Sequence, residues 1–172
     1  DPNYFNVAAA RSRGVEFDAA ARAGSVEWRA AWTWLDTEVV DAGLEGGPGD
    51  LFVDGQPLLR RPRHSLTVTA ASALGTRGRV HTRLGYEGSR DDRDFSTFPG
   101  TPVELPGHAV WAMGGEWSVQ EATEGRPSLS VSLRGENLLG KRYQEAFGFG
   151  APGRQVYLGV SVGFGGGGVP AP

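Results

Sequence analysis

The sequence predicts an all-β chain, an antiparallel meander of about seven strands, from three observations. Apolar and polar residues alternate with period 2 in segment after segment, while helical periodicity is weak throughout. Gly (27) and Pro (11) punctuate these segments without a collagen-like repeat, as turns and close backbone approaches require. The connections alternate between short and long, as in a chain that runs up and down.

Each element follows from its own pattern. Val15, Phe17, Ala19 and Ala21 oppose Glu16, Asp18 and Arg22. Val26, Trp28, Ala30, Trp32 and Trp34 alternate with Glu27, Arg29, Ala31 and Thr33. Leu66, Val68 and Ala70 alternate with Ser65, Thr67 and Thr69. Val80, Thr82, Leu84 and Tyr86 alternate with Arg79, His81, Arg83 and Gly85. Between 103 and 119, Leu105, Ala109, Trp111, Met113 and Trp117 share a face with Gly107 and Gly115. Leu129, Val131 and Leu133 alternate with Ser128, Ser130, Ser132 and Arg134. The last strand puts Val156, Leu158, Val160, Val162 and Phe164 opposite Gln155, Tyr157, Gly159, Ser161 and Gly163. A slip of one residue would exchange the faces, so the pattern fixes which side meets the apolar environment.

Short polar turns fall at 23–25, 75–78 and 121–126, and long Gly/Pro/Asp-rich loops at 40–57, 91–102 and 144–153. Strands near ten residues, joined by short turns on one side and long loops on the other, are the pattern of an outer-membrane barrel with its long loops outside. A soluble β-sandwich also gives short alternating strands. Two features favour the barrel. The polar faces carry charges in mid-strand (Glu27 with Arg29, Arg79 with Arg83, Glu16 with Asp18), as a wet lumen would. The apolar faces carry amphipathic rings near both ends: Trp32, Trp34 and Tyr86 toward the long loops, Trp28, Trp117 and Phe164 toward the short turns. The mean hydropathy of −0.32 does not oppose this, since only alternate residues of a barrel strand face lipid.

Other classes find little support. The formal charge of −3 lacks the concentrated basic face a nucleic acid needs. With no Cys there is neither a disulfide scaffold nor a thiolate metal site. No apolar run approaches the ~20 residues of a membrane-spanning helix. His64, His81 and His108 have no ligand spacing to one another, and no serine sits in a nucleophile elbow. Residues 163–168 match a dinucleotide fingerprint formally but open no helix, so 165–172 reads as a flexible tail after a single unit, 1–164. The chain is therefore expected to be no enzyme and to hold no cofactor or metal. The acids Asp36, Asp41, Glu45, Asp50 and Asp54 read as a solvated loop, with a hard-cation site as the alternative. Arg60, Arg61, Arg63 and His64 form a basic cluster at a strand start, open to pairing with those acids or with lipopolysaccharide phosphates.

Several motifs then narrow the reading. Leu133-Arg134-Gly135-Glu136-Asn137-Leu138-Leu139-Gly140-Lys141-Arg142-Tyr143 resembles the penultimate-strand hallmark of TonB-dependent outer-membrane receptors. Asn137 and the turn-prone residues after it would close the strand, Lys141 and Arg142 would stay wet, and Tyr143 would anchor at the interface. Pro152-Gly153-Arg154 before the last strand is similar to the family's final loop. Upstream, Asn6-Val7 and Ala10–Glu16, Trp34–Glu38, Leu59–His64 and Glu104–Gly107 resemble further family segments in the family's order. Gly140 departs from the Asp usual there, and the chain runs past Phe164 where such barrels end on the aromatic residue.

The resemblance, nearest to the cobalamin and siderophore receptor group, implies part of a barrel of about 22 strands. It implies an integral outer-membrane location with a periplasmic C-terminus, lipid and lipopolysaccharide as neighbours, and a scarce nutrient as ligand. TonB would contact only an N-terminal plug and box outside this chain. Ligand contacts are expected from the long loops: Asp41, Glu45, Asp50, Asp54, Arg93, Phe95, Phe98, Phe147 and Phe149. Two other classes remain open, a small complete barrel serving as an adhesin or structural protein and a sugar-binding sandwich using Trp28, Trp32, Trp34, Trp111 and Trp117.

Overall fold

A computed structural model describes residues 8–43, 51–96, 100–123 and 126–164. The strands in chain order are β1 (Ala9–Ala23), β2 (Val26–Asp41), β3 (His64–Leu74), β4 (Gly78–Glu87), β5 (Arg90–Asp94), β6 (Thr101–Leu105), β7 (His108–Gln120), β8 (Ser128–Glu136), β9 (Gln144–Ala146), β10 (Phe149–Gly150) and β11 (Gln155–Gly163). Seven of them form one sheet in the order β1-β2-β3-β4-β7-β8-β11, every neighbour antiparallel. The expected meander of seven strands is therefore present. Among the described residues, β1 and β11 each pair with a single neighbour.

The turns follow from local chemistry. Gly24 supplies the positive φ (61°) of the two-residue β1–β2 connection, the backbone twist that suits antiparallel strands. At the opposite end of the sheet lie the long connections, and two of these are not irregular loops. The span 91–102 lies within a β5–β6 hairpin, and 144–153 contains the small β9–β10 hairpin.

The register joins the apolar faces. Val15 opposes Trp34, Phe17 opposes Trp32 and Trp32 opposes Leu66; Leu66 opposes Tyr86, and Leu84 opposes Trp111. Trp117 opposes Val131, and Leu133 opposes Leu158. Leu158 is 74% exposed and Val156 71%. The buried apolar residues described are only Val39, Ala42, Ala70 and Leu105. A sandwich would bury one face of each sheet, and here a single layer leaves an apolar face uncovered. The chain exposes 12326 Å², against roughly 8,000 Å² for a compact globule of this length. An apolar surface this continuous calls for a non-aqueous neighbour. One polar pair on it is satisfied internally: Trp111 Nε1 donates to Thr82 Oγ1 at 2.6 Å, and that hydroxyl donates to Ala112 O.

Three expectations change. The segment 103–119 is not one strand: it breaks at Pro106-Gly107, and Leu105 is buried (3% exposed) in the β5–β6 hairpin instead of lying on the apolar face. Gly107 allows the break, because a Cβ there would stand 3.0 Å from Glu87 O. Strands β1 and β2, with 15 and 16 residues, exceed the expected ten. β11 stops at Gly163, one residue before Phe164, which is 85% exposed. The tail 165–172 lies outside the described residues, as do Asn6 and Val7.

Candidate functional site

The long-loop end of the sheet concentrates the buried polar groups. Arg90, Asp92, Arg93, His108 and Asn137 are all buried, and all belong to or adjoin the long connections. Burying charge is costly unless it is paired and hydrogen-bonded, so these residues identify where the loops are held together.

Asp92 is the centre of one knot. Its Oδ1 accepts from Arg60 Nε at 2.8 Å and from its neighbour's backbone, Arg93 N, at 2.8 Å; Oδ2 accepts from Phe147 N at 2.7 Å. Arg60 adopts a left-handed backbone (φ 59°) and donates its own N–H to Asp91 O, which aims its side chain at Asp92. One carboxylate thus ties the 42–63 connection, the β5–β6 hairpin and the β9–β10 hairpin. Burial is the strongest single influence on Asp92 and pushes its pKa up. The N–H groups of Phe147 and Arg93 and the Arg60 guanidinium together outweigh it, leaving the carboxyl below its ordinary value. Arg90 makes a second tie, donating to Gln144 O at 3.0 Å and Glu145 Oε2 at 2.8 Å while pairing with Glu87 Oε2 at 3.2 Å. Arg93 donates to Gly100 O across its own hairpin.

Asn137 organises the motif that follows β8. In a left-handed conformation (φ 48°), it donates Nδ2 to Lys141 O and Pro152 O and accepts Lys141 N on Oδ1 at 2.9 Å. A short polar side chain that tolerates this backbone is what the turn needs. Gly140 also has positive φ (65°), and a Cβ on it would lie 2.8 Å from Arg154 Nε, whose donor reaches Leu138 O. The glycine is therefore the residue this version of the loop requires. Leu138 folds back over Gly135, while Leu139, Lys141 and Arg142 are exposed. The Pro152 carbonyl completes the clamp on Asn137, and Pro152 and Gly153 line the cavity beside it.

Tyr143 differs from expectation. It does not stand at an interface but stacks on His108, ring centroids 4.0 Å apart and planes 18° apart, and lines the polar face of the sheet. Desolvation raises the pKa of its hydroxyl, with Glu145, Glu87 and Glu136 adding to the rise, so it remains a neutral phenol. Around this pair lies a cavity of about 340 Å³, lined among others by Arg83, Glu87, Glu136 and Glu145.

The expected loop contacts separate into groups. Asp41 Oδ1 accepts Gly43 N and Asp54 Oδ1 accepts Ala42 N, so both acids fold the start of their loop. Asp36 is occupied by Arg13 and Arg63, each at 2.9 Å. Among the described residues these acids form no cation-holding cluster; Glu45, Asp50 and Phe98 lie outside those residues. Of the basic cluster, Arg60 and Arg63 pair with acids of the chain and His64 stacks on Trp32. Phe95, Phe147 and Phe149 stand exposed on the hairpins, Phe149 at 75%. Sequence reasoning missed Asp92 and Arg90, and set His108 aside with His64 and His81 for want of ligand spacing. The visible signal for Asp92 and Arg90 was the charge-dense run Arg90–Asp94 inside an apparent loop.

Comparisons with known proteins agree with this geometry. The family described as TonB dependent receptor-like, beta-barrel matches residues 1–138. The vitamin B12 transporter BtuB of Vibrio cholerae serotype O1 is 28% identical over 165 residues, covering 94% of this chain and 23% of the transporter. The chain thus spans under a quarter of that relative's length. Two solved structures from Acinetobacter baumannii share the fold. The siderophore receptor PiuA has a TM-score of 0.68 at 17% identity, over 88% of this chain and 21% of the receptor. BauA, the ferric preacinetobactin receptor, has a TM-score of 0.65 at 20% identity, over 90% and 22% respectively.

Proposed function

The chain belongs to the TonB-dependent receptor-like β-barrel family, and on that premise we propose that residues 1–164 supply wall and extracellular loops to an outer-membrane receptor for a scarce nutrient of the cobalamin or iron–siderophore type. The apolar face meets lipid and the polar face the lumen. The long connections face outward, where lipopolysaccharide borders them, and the C-terminus lies on the periplasmic side. TonB acts on a part of the receptor outside this segment, and no catalytic residue is needed.

The arrangement that supports this reading most is the loop body. Asp92 and Arg90 bind three long connections together above the polar face, and that body presents Phe95, Phe147 and Phe149 to the outside. Exposed aromatic rings on a braced hairpin offer large contact area at little entropic cost. With Asp41 and Asp54 they are the proposed ligand contacts, and Glu45, Asp50 and Phe98 are proposed with them from the sequence; Arg93, buried and donating to Gly100 O, braces the hairpin instead.

Equilibrium binding of cobalamin and of ferric siderophores to the whole receptor in detergent tests this. Phe147→Ala with Phe149→Ala is expected to weaken the bound ligand at least about tenfold and to leave barrel stability unchanged. Failure of every such ligand to bind, or full affinity in the double variant, would refute the respective part.

A further inference from the structure

We infer that Glu87, His108 and Glu145 form a site for one divalent transition-metal ion of the Zn²⁺ class at the long-loop end of the polar face. One donor atom from each of the three comes within 4.8 Å of the others. Three strands deliver them: Glu87 and His108 are direct cross-strand partners on β4 and β7, and Glu145 lies on β9.

Two observations separate this cluster from an ordinary group of surface acids. The first is His108, whose side chain is 5% exposed. A buried imidazole ordinarily hydrogen-bonds, yet its Nδ1 has no partner among the described residues. Its Nε2 looks at Glu145 Oε1 across 3.9 Å, beyond hydrogen-bond reach. Tyr143 stacks on the ring and fixes its plane. The second is Arg90. It donates a hydrogen bond to Oε2 of Glu145 and forms an ion pair with Oε2 of Glu87 at 3.2 Å, leaving the other oxygen of each carboxylate to a cation. Ligating carboxylates are ordinarily braced in this way by a further donor.

The geometry is within reach. Ligand distances of about 2.1 Å place tetrahedral donors about 3.4 Å apart, so the cluster must contract by roughly 1 Å. His108 is fixed, but the Glu87 and Glu145 side chains are 42% and 61% exposed and can rotate inward. Three protein ligands leave the fourth position facing the 340 Å³ cavity, open to water or to a donor atom of a visiting molecule.

The donor set selects the ion. An imidazole with two carboxylates suits Zn²⁺ and its neighbours in the first row. Ca²⁺ and Mg²⁺ prefer all-oxygen shells, and Cu(I) wants thiolate or thioether, whereas the chain has no Cys. Binding must also weaken in acid, since protons compete for all three ligands.

The test is calorimetric titration of Zn²⁺ alone into the receptor with its native flanking sequence, purified in detergent and stripped with chelator. Co²⁺ absorption serves as a spectroscopic second readout. We expect one Zn²⁺ per chain at this site. Glu145→Gln, Glu87→Gln and His108→Gln should each weaken it at least about tenfold. Glu136→Gln, which removes another carboxylate of the same cavity, should change it less than about twofold. Glu145 is largely exposed, so its variant is the one best placed to keep the fold, which heat-modifiable gel mobility verifies. No Zn²⁺ uptake, uptake that survives all three substitutions, an equal loss in Glu136→Gln, or Ca²⁺ displacing Zn²⁺ at equal concentration would overturn the assignment.

Discussion

Replacing Asp92 by Asn should release the loop body while sparing the barrel wall. Asp92 is 1% exposed and accepts three hydrogen bonds on two oxygens. An amide keeps the shape but offers one oxygen and one NH₂, so at least one N–H donor is left facing another donor. A buried donor without an acceptor costs about 1–3 kcal/mol. The lost Arg60 pairing adds little, because that side chain is 47% exposed and solvent screens it. A cost of about 2 kcal/mol corresponds to about a thirtyfold larger open population of the loops. Limited proteolysis of the receptor in detergent reads that population directly when reclosing outpaces cleavage. Cutting within the β5–β6 and β9–β10 hairpins should accelerate about thirtyfold, with the denaturant midpoint of the barrel nearly unchanged. A cleavage rate within about twofold of the parent would refute the view that this carboxylate ties the loops.

Acid should open the same loops. The folded pKa of Asp92 lies below its ordinary value of 3.8, so its contribution is fully present above the unfolded value and is lost as pH falls below about 3.8. Protease protection should therefore hold from neutral pH down to the unfolded value and fall away as pH drops from there through the lowered folded pKa, with that acid step missing in Asp92→Asn. Gly140→Ala should cost about 1–2 kcal/mol in loop stability, because it forces a methyl into a left-handed turn against Arg154; local hydrogen exchange at 138–142 reports it. Asn137→Ala removes three hydrogen bonds from a residue 3% exposed. It should cost about 2–3 kcal/mol, read as faster exchange at Lys141 N.

The strands were legible because alternation is a local property. Ser128–Arg134 carries its inside and outside whatever it pairs with, and the register then had to place Leu133 opposite Leu158. Turn chemistry was equally local: Gly24 and Asn137 stand where the backbone turns left-handed. The loop body could not be read in the same way. Asp92 meets Arg60 across 32 residues and Phe147 across 55, and nothing in the segment Arg90–Asp94 names those partners. Leu105 misled because its spacing continues the β7 apolar series, while Pro106-Gly107 turns it into the hairpin. Tyr143 was placed by analogy at an interface, but the turn at Gly140 and the ring of His108 draw it to the polar face. The pairing of Glu87 with His108 followed only once the β4–β7 register was known.

Which face of the sheet meets lipid is the claim on which the rest depends, and site-directed labels along its strands measure it directly. Single cysteines carrying nitroxide labels along β8 and β11, in the receptor reconstituted into bilayers, report collision with oxygen, which concentrates in lipid. Labels at Leu129, Val131, Leu133, Val156, Leu158 and Val160 should show high oxygen accessibility. Labels at Ser130, Ser132, Tyr157, Gly159 and Ser161 should show low accessibility, with a period of two along both strands. A flat profile, or one with the two sets exchanged, would contradict the assignment of this chain to a barrel wall.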